Sequence, residues 1–384
     1  MQKRFRLTAV LVALCALAVH AGDGDREKRE SHDDGNPLVL DSHGSFDVGG
    51  QYVNTPAGQQ MFRQMYVDYM IPKHLSHRYP IVMIHGGTST GTNFESTPDG
   101  RESWADFFVR EGYAVYVVDQ PARARSGYNH LVDGPLGSGS STLSIEQTFT
   151  APELFNLWPQ ARLHTQWPGT GRVGDPIFDQ FFAGRMHTIA NAVQSELNIK
   201  SAGAALLDKI GPAIVLTHSQ SGAYGWQIAD ARANLVKAIL AVEPSGPPFF
   251  SSPALGPSTL SLPWGITLTP ITYAPAVTNP AQLVKVQEAA PDGPDLLACW
   301  TQGAPVRQLP TLHGIPILMI TAQASYHAQY DHCTSKYLTQ AGVAHDFIRL
   351  EEVGIFGNGH MLMLEKNNLQ IADVLADWLY RKHL

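Results

Sequence analysis

Leu216-Thr217-His218-Ser219-Gln220-Ser221-Gly222 is the stretch that decides the fold. Before it, Ala213 to Leu216 is an apolar run that reads as a short buried strand, and a helix-compatible stretch opens at Ser221. Only a tight polar turn fits between them. A serine on such a strand–turn–helix corner is held on a sharp bend with its hydroxyl exposed at the end of a sheet. Strand and helix backbones cross closely there, so the residues two before and two after the serine must be small. Thr217 and Ser221 meet that demand, and Gly222 adds room. A plain polar turn between a strand and a helix would look similar over seven residues, and the rest of the chain separates the two readings.

Outward from this corner, strands and helices alternate. Pro80 to Ile84 is an apolar strand that ends in His85-Gly86-Gly87, and Trp104 to Arg110 reads as a short helix. Tyr113 to Val118 is a second apolar strand, closed by Asp119, and Val236 to Val242 is another, closed by Glu243. Apolar residues at 182, 186, 189, 190, 193 and 197 predict a helix over Phe181–Leu197. Ile315 to Ile320 and His345 to Leu350 read as further strands. Ser325 to Gln340 reads as a helix, and Ile371, Val374, Leu375, Trp378 and Leu379 mark a closing amphipathic one. Ahead of this series, Met61 to Ile71 has the composition of an antiparallel edge. Continuous apolar strands alternating with helices imply an α/β fold whose mostly parallel sheet is covered on both faces. Ligands of such sheets bind at the carboxyl ends of the strands.

Two stretches break the rhythm, at about 120–176 and 245–310. Both are rich in Pro, Gly and Ser and studded with aromatics such as Trp158, Trp167, Phe249 and Trp264. Loops of this length in compact domains are usually functional. They are read as excursions that roof the strand ends and shape an apolar pocket within a single domain over 37–384.

The chemistry follows from position. A serine hydroxyl becomes a nucleophile when a histidine takes its proton. His360, in Gly357-Asn358-Gly359-His360 between the last strand and the last helix, can reach over the strand ends. His218, His313 and His327 are weaker candidates, and His218 is expected to have a structural role. A carboxylate must orient the imidazole and stabilise its charged form. Glu243 ends a buried strand, where an unpartnered acid would carry a desolvation cost. Asp331, the first acid after the following strand, is the alternative. Asp119 precedes the serine and reads as a cap on its own turn. A tetrahedral oxyanion needs backbone N–H donors. Gln220, at the start of a helix, offers one, and Gly87 of the His-Gly-Gly turn is taken as the second.

The ordered set of His85-Gly86-Gly87, Asp119 with Ser126-Gly127 behind it, His218-Ser219-Gln220-Ser221-Gly222 and a late Gly359-His360 resembles the α/β-hydrolase superfamily. It is most similar to a bacterial esterase group whose acid is a glutamate after the sixth strand. The resemblance runs from about Ile81 to the end. It implies Ser219 as nucleophile, His360 as base, Glu243 as the orienting acid, Gly87 and Gln220 as oxyanion donors, and no cofactor or metal. Thr217 and Ser221 stand where that pattern has glycines. So do Ala122 and Ala124, which bears on loop shape and substrate more than on chemistry.

The N-terminus carries an address. Lys3, Arg4 and Arg6 precede an apolar run from Leu7 to Ala18, and Val19-His20-Ala21 ends in the small residues a signal peptidase reads. The run is too short to span a bilayer. Residues 1–21 are therefore expected to be a signal peptide that sends the chain to the periplasm or the medium, with no membrane insertion after cleavage. The charge-dense stretch 22–36 is expected to be a solvated tail. The net charge is −7 and no Lys/Arg cluster stands outside the signal peptide and the tail, which argues against nucleic acid as a partner. Beyond the signal peptide the cysteines are Cys299 and Cys333. In an oxidising compartment a disulfide between them is expected, two separate thiols being the alternative. Neither has zinc-ligand spacing.

Together these readings predict a secreted serine hydrolase, a carboxylesterase acting on a small-molecule ester through an acyl-enzyme. Amide or peptide hydrolysis by the same groups is the alternative, and a binding protein on a hydrolase fold a further one. Oligomeric state is not readable from the sequence.

Overall fold

Eight strands form one sheet in the computed structural model, which describes residues 37–384. The expected signal peptide and charged tail lie outside the described residues. The strands are β1 (Leu40–Thr55), β2 (Gly58–Pro72), β3 (Ile81–Ile84), β4 (Val115–Asp119), β5 (Ala213–His218), β6 (Val236–Val242), β7 (Ile317–Thr321) and β8 (Asp346–Arg349). Their order across the sheet is β1-β2-β4-β3-β5-β6-β7-β8. β1 pairs antiparallel with β2, and β2 antiparallel with β4. Every pairing from β4 to β8 is parallel. The chain leaves β3 for β4 on one side and returns to β5 on the other, so strand order reverses between β3 and β5. Ligands of doubly wound sheets bind outside such a switch point.

The main helices are α1 (Trp104–Arg110), α2 (Pro176–Ala183), α3 (Ala192–Ile210), α4 (Ser221–Ala231), α5 (Asp331–Gln340) and α6 (Asn368–Arg381). Successive side chains of a strand point to opposite faces, and the two cores follow that period. Val82, Ile84, Val215, Ile239, Ala241, Ile317 and Met319 face α3, α4 and α5. Ile81, Met83, Ile214, Leu216, Ala238, Leu240, Leu318 and Ile320 face α1 and α6. Residues 37–384 pack as one unit around both layers.

Several elements differ from the expectation. The helix foreseen over Phe181–Leu197 is two helices. α2 closes at Gly184, and α3 opens at Asn191, whose side chain accepts from the Gln194 N–H. The intervening segment bridges Leu136 through Ile189 and carries Arg185. Ser325 to Gln340 is likewise broken, into a 3-10 turn at Tyr326–Gln329 and α5. The edge foreseen at Met61–Ile71 is half of a long hairpin. Its first strand, β1, is too polar and glycine-rich to be read as a strand from its sequence.

The two excursions behave differently. The first folds into short helical turns, among them His130–Asp133, Thr142–Ile145 and Glu146–Thr150, and reaches the strand ends. The second forms two small ribbons, Phe249–Phe250 with Leu260–Leu262 and Lys285–Gln287 with Trp300–Gln302. Phe249, Trp264, Ile266 and Tyr273 of this second excursion sink into the core beside α4 and α5 instead of roofing the strand ends. Cys299 and Cys333 form a disulfide that ties this excursion to α5.

Candidate active site

Ser219 lies at the corner between β5 and α4 with a left-handed backbone, φ +59. That conformation is costly for a residue with a Cβ and persists only where its surroundings hold it. Ser219 N–H donates to the Val242 carbonyl at 3.1 Å, and Ser245 N–H donates to the Ser219 carbonyl at 2.9 Å. The Ser221 hydroxyl donates to the Ile84 carbonyl at 2.6 Å and accepts from His218 N–H at 2.8 Å. A serine where glycine was expected thus bolts the corner to β3. Close packing explains the glycines nearby. A Cβ on Gly86 would lie 2.9 Å from the Ser219 Cβ, and one on Gly222 would lie 2.3 Å from the Pro244 Cβ. Thr217 is accommodated because its Cγ2 faces Gly225, where a Cβ would lie 2.9 Å away.

Glu243 follows β6, also with positive φ, +44, and is fully buried. Its Oε1 accepts from Ala322 N–H at 2.8 Å and its Oε2 from the Ser325 hydroxyl at 2.7 Å. His360 Nδ1 donates to the same Oε2 at 2.5 Å. Burial and the nearby Asp331 push the Glu243 carboxyl up, while the Ala322 and Ser325 donors pull it down. Burial, and the positive potential of His218, His327 and Arg185 when charged, push His360 well below an ordinary histidine. Its resting form is neutral, with the proton on Nδ1 and Nε2 free to accept.

Asp331, the alternative acid, serves a different histidine. Its Oδ1 bonds His327 Nδ1 at 2.8 Å and its Oδ2 accepts from the Thr321 hydroxyl at 2.6 Å. The His327 ring lies parallel to His360, with centroids 4.9 Å apart. The His218 ring lies 4.5 Å from that of His360. Its Nε2 donates to the His360 carbonyl at 2.9 Å, and burial pushes its pKa down to about 3. His313 lies apart, with Nε2 3.4 Å from the Ala341 carbonyl. Asp119 caps its own turn, accepting from Arg125 N–H at 3.2 Å, and also accepts from Arg125 Nε at 2.6 Å and from Gly91 N–H, in the loop after β3, at 2.7 Å.

The two expected oxyanion donors are neighbours. A Cβ on Gly87 would lie 3.8 Å from that of Gln220, and Gln220 is the N-cap of α4. Two arginines that the sequence reading did not single out bond to this loop. Arg123 donates to the Gly86 carbonyl at 3.0 Å and the Gln220 Oε1 at 3.3 Å. Arg185 donates to the Gly87 carbonyl at 3.0 Å, to the Ser89 hydroxyl at 2.6 Å and to the Thr88 hydroxyl. Burial and the neighbouring Arg123 pull Arg185 down to about 10. Thr88 itself has φ +51, and Ala122 and Ala124 have φ of +61 and +44, a left-handed geometry natural to glycine.

A third residue outside the sequence reading is Tyr326. Its hydroxyl is 3.2 Å from His360 Nε2. Phe149 of the first excursion stacks on His360 at 5.1 Å, and Trp158 packs edge-on to Tyr326 while donating to the Ala324 carbonyl at 3.0 Å. Ser219, Gly87 and Gln220 keep partial exposure beside the buried Glu243 and His360. Glu243, His327 and His360 bring candidate metal-ligand atoms within 4.8 Å of one another, but both Nδ1 atoms are already bonded to carboxylates. In the second such group, Cys299, His332 and Cys333, the sulfurs are joined to each other.

Residues 81–374 match the model of the alpha/beta hydrolase family, the span that holds β3 to β8 and the whole constellation around Ser219. This chain belongs to the alpha/beta hydrolase family. It is 48% identical over 339 residues to a protein named probable secreted lipase phiG from a fungal species (strain ATCC 74256), covering 88% of this chain and 89% of the relative. Among solved structures it is similar to a novel bacterial esterase, with 25% identity, a TM-score of 0.55, and coverage of 90% of this chain and 97% of that one. The Ser219 corner sits at the carboxyl end of a central strand, β5. No described helix is long and apolar enough to cross a membrane.

Proposed function

We propose that this alpha/beta hydrolase is an exported carboxylesterase that works through an acyl-enzyme on Ser219. The observation that carries the reading is the 2.5 Å contact between His360 Nδ1 and Glu243, beside a serine held in left-handed geometry. Glu243 fixes the tautomer, so Nε2 is the basic atom. Ser219 Oγ attacks the ester carbonyl and its proton goes to the imidazole. Backbone N–H groups of Gly87 and Gln220 take the oxyanion, and the proton then leaves with the alcohol. Water repeats the cycle on the acyl-enzyme and frees the acid. The names of the fungal relative and the bacterial esterase support ester substrates, and the first of them supports export together with residues 1–21.

Hydrolysis of p-nitrophenyl esters of graded acyl length, beside matched anilides, tests the reading. Ser219→Ala and His360→Ala are expected to lower kcat by about four orders of magnitude. Glu243→Ala should cost about two to four orders, because its role is to orient the base. A larger loss in Asp331→Ala than in Glu243→Ala would transfer the acid role. Turnover of the anilides alone would replace the esterase reading with an amidase.

A further inference from the structure

We infer that Arg123 is a positioning residue of the reaction, one whose guanidinium aims the Gly87 N–H and ties it to Gln220, the other proposed oxyanion donor. The inference rests on the esterase reading and deepens it. Arg123 is 4% exposed and, among the described residues, its guanidinium meets no carboxylate. Its donors go instead to the Gly86 carbonyl at 3.0 Å and to Gln220 Oε1 at 3.3 Å. One cation thus spans the turn that carries Gly87 and the residue that follows Ser219.

The aim follows from the planarity of the peptide. The Gly86–Gly87 bond is trans, so its carbonyl and its N–H point in opposite directions. Whatever holds the Gly86 oxygen therefore directs the Gly87 N–H. Two donors hold it. His85 Nε2 accepts from Gln120 N–H at 3.2 Å, which leaves the proton on Nδ1, and Nδ1 donates to the Gly86 carbonyl at 2.9 Å. Arg123 is the second donor. Its positive charge at the carbonyl end also polarises the peptide and strengthens the N–H at the other end as a donor. Neither Gly87 N–H nor Gln220 N–H has an acceptor among the described residues, so both are free for a developing oxyanion.

The loop around Arg123 is shaped for this contact. Ala122 and Ala124, on either side of it, have left-handed backbones, φ +61 and +44. That geometry is costly for residues with a Cβ and persists where contacts hold it. Gln120, earlier in the same loop, donates through Nε2 to the His85 carbonyl at 2.6 Å. The loop after β4 therefore grips the turn after β3 at two successive carbonyls, those of His85 and Gly86.

The test compares Arg123→Gln and Arg123→Lys with wild type. The readouts are ester turnover per active site titrated with a fluorophosphonate, KM, and inhibition by a trifluoromethyl ketone with the same acyl chain. Ser219 Oγ adds to the ketone carbon, the serine proton passes to His360, and the charged oxygen stays where the oxyanion forms. The inhibition constant therefore reads the donors directly. With the positioning role, Arg123→Gln loses about 10- to 100-fold in kcat, less than the loss of a whole donor, while KM stays within about threefold. Ketone binding weakens by the same factor as kcat. Arg123→Lys keeps the cation but lacks the fork that reaches both acceptors, and falls between Arg123→Gln and wild type. A purely structural role would lower the thermal midpoint and the number of titrated sites, and leave kcat per site and the ketone constant unmoved. Those two values within about twofold of wild type in either variant overturn the inference, and Arg123→Lys alone decides it where Arg123→Gln does not fold. Wild-type turnover that is lost in Ser219→Ala would still support the esterase reading. A folded wild type that neither turns over an ester nor binds the ketone overturns both.

Discussion

At His360 two demands on one ring oppose each other. As the proposed base it must be neutral before the attack, and as the carrier of the proton it must tolerate a charge in a buried site. Burial, first, and the surrounding His218, His327 and Arg185 meet the first demand by lowering its pKa well below 6.5. Glu243 meets the second, because its carboxylate is the immediate partner of the ring. The consequence is a pH dependence with a definite sign. A base that is already neutral at moderately acid pH keeps working there, so the acid limb of kcat/KM, which reports the free enzyme, should be centred below pH 6.5. A pH–rate profile checks this, and a limb at or above 6.5 would show that the ring is not poised as described. The candidates Ser219, Glu243 and His360 could be picked out in the sequence because each follows directly on a strand or stands in a glycine turn, and the structure places Glu243 against His360. Tyr326, Arg123 and Arg185 could not be picked out. Each is of a residue type that surfaces and cores use freely, and nothing in local pattern says that a loop turns it inward.

Among the elements, the first excursion does more than roof the site. Its residues 164–166 pair with the turn that carries His360. Thr165 N–H donates to the Gly357 carbonyl and Lys366 N–H to the Gln166 carbonyl, each at 2.9 Å. His164 lies buried between two carboxylates, 2.8 Å from Glu153 and 2.9 Å from Glu365. Glu365 in turn accepts from Gly359 N–H at 2.8 Å and from the Asn358 amide at 2.7 Å. Burial pulls the His164 pKa down, but the two carboxylates outweigh it and the value stands at about 9. The charged form is therefore the one that the fold stabilises. That contribution is complete below pH ~6.5, the unfolded value, and is lost as pH rises through about 9. From the size of the shift it amounts to about 3 kcal/mol. Denaturant unfolding across this window should show wild type losing its advantage over His164→Gln as the pH rises. A constant difference would contradict the charge assignment. None of this was readable from the chain, since Glu153, His164 and Glu365 are brought together from segments that no local pattern links. The break between α2 and α3 was missed for a related reason. The apolar spacing continues through Gly184 to Asn191, and the tertiary demand that Met186 N–H meet the Thr88 carbonyl overrides it.

For the molecule as a whole, the sheet decides where chemistry can occur. Near-continuous apolar strands commit β3 to β7 to burial on both faces, and a buried strand can present polar groups only at its ends. The switch between β3 and β5 then brings the Gly86–Gly87 turn beside Ser219. The neighbouring ends of β6 and β7 supply Glu243 and Tyr326. This much of the architecture was legible from alternation alone, and the antiparallel hairpin that precedes it was only half so. The second excursion shows the limit of the reading. Its aromatics looked like a pocket wall and are instead core. Burial is decided by what the rest of the chain leaves uncovered, which a single stretch does not encode. The proposed reaction puts the acyl group on one residue, Ser219. It is tested most directly by intact-mass and peptide mapping after reaction with a fluorophosphonate, a probe that phosphonylates an activated serine. One adduct per chain is expected, on the peptide that contains Ser219, and none on Ser219→Ala. A folded wild type that stays unmodified, or an adduct that persists in Ser219→Ala, would contradict it.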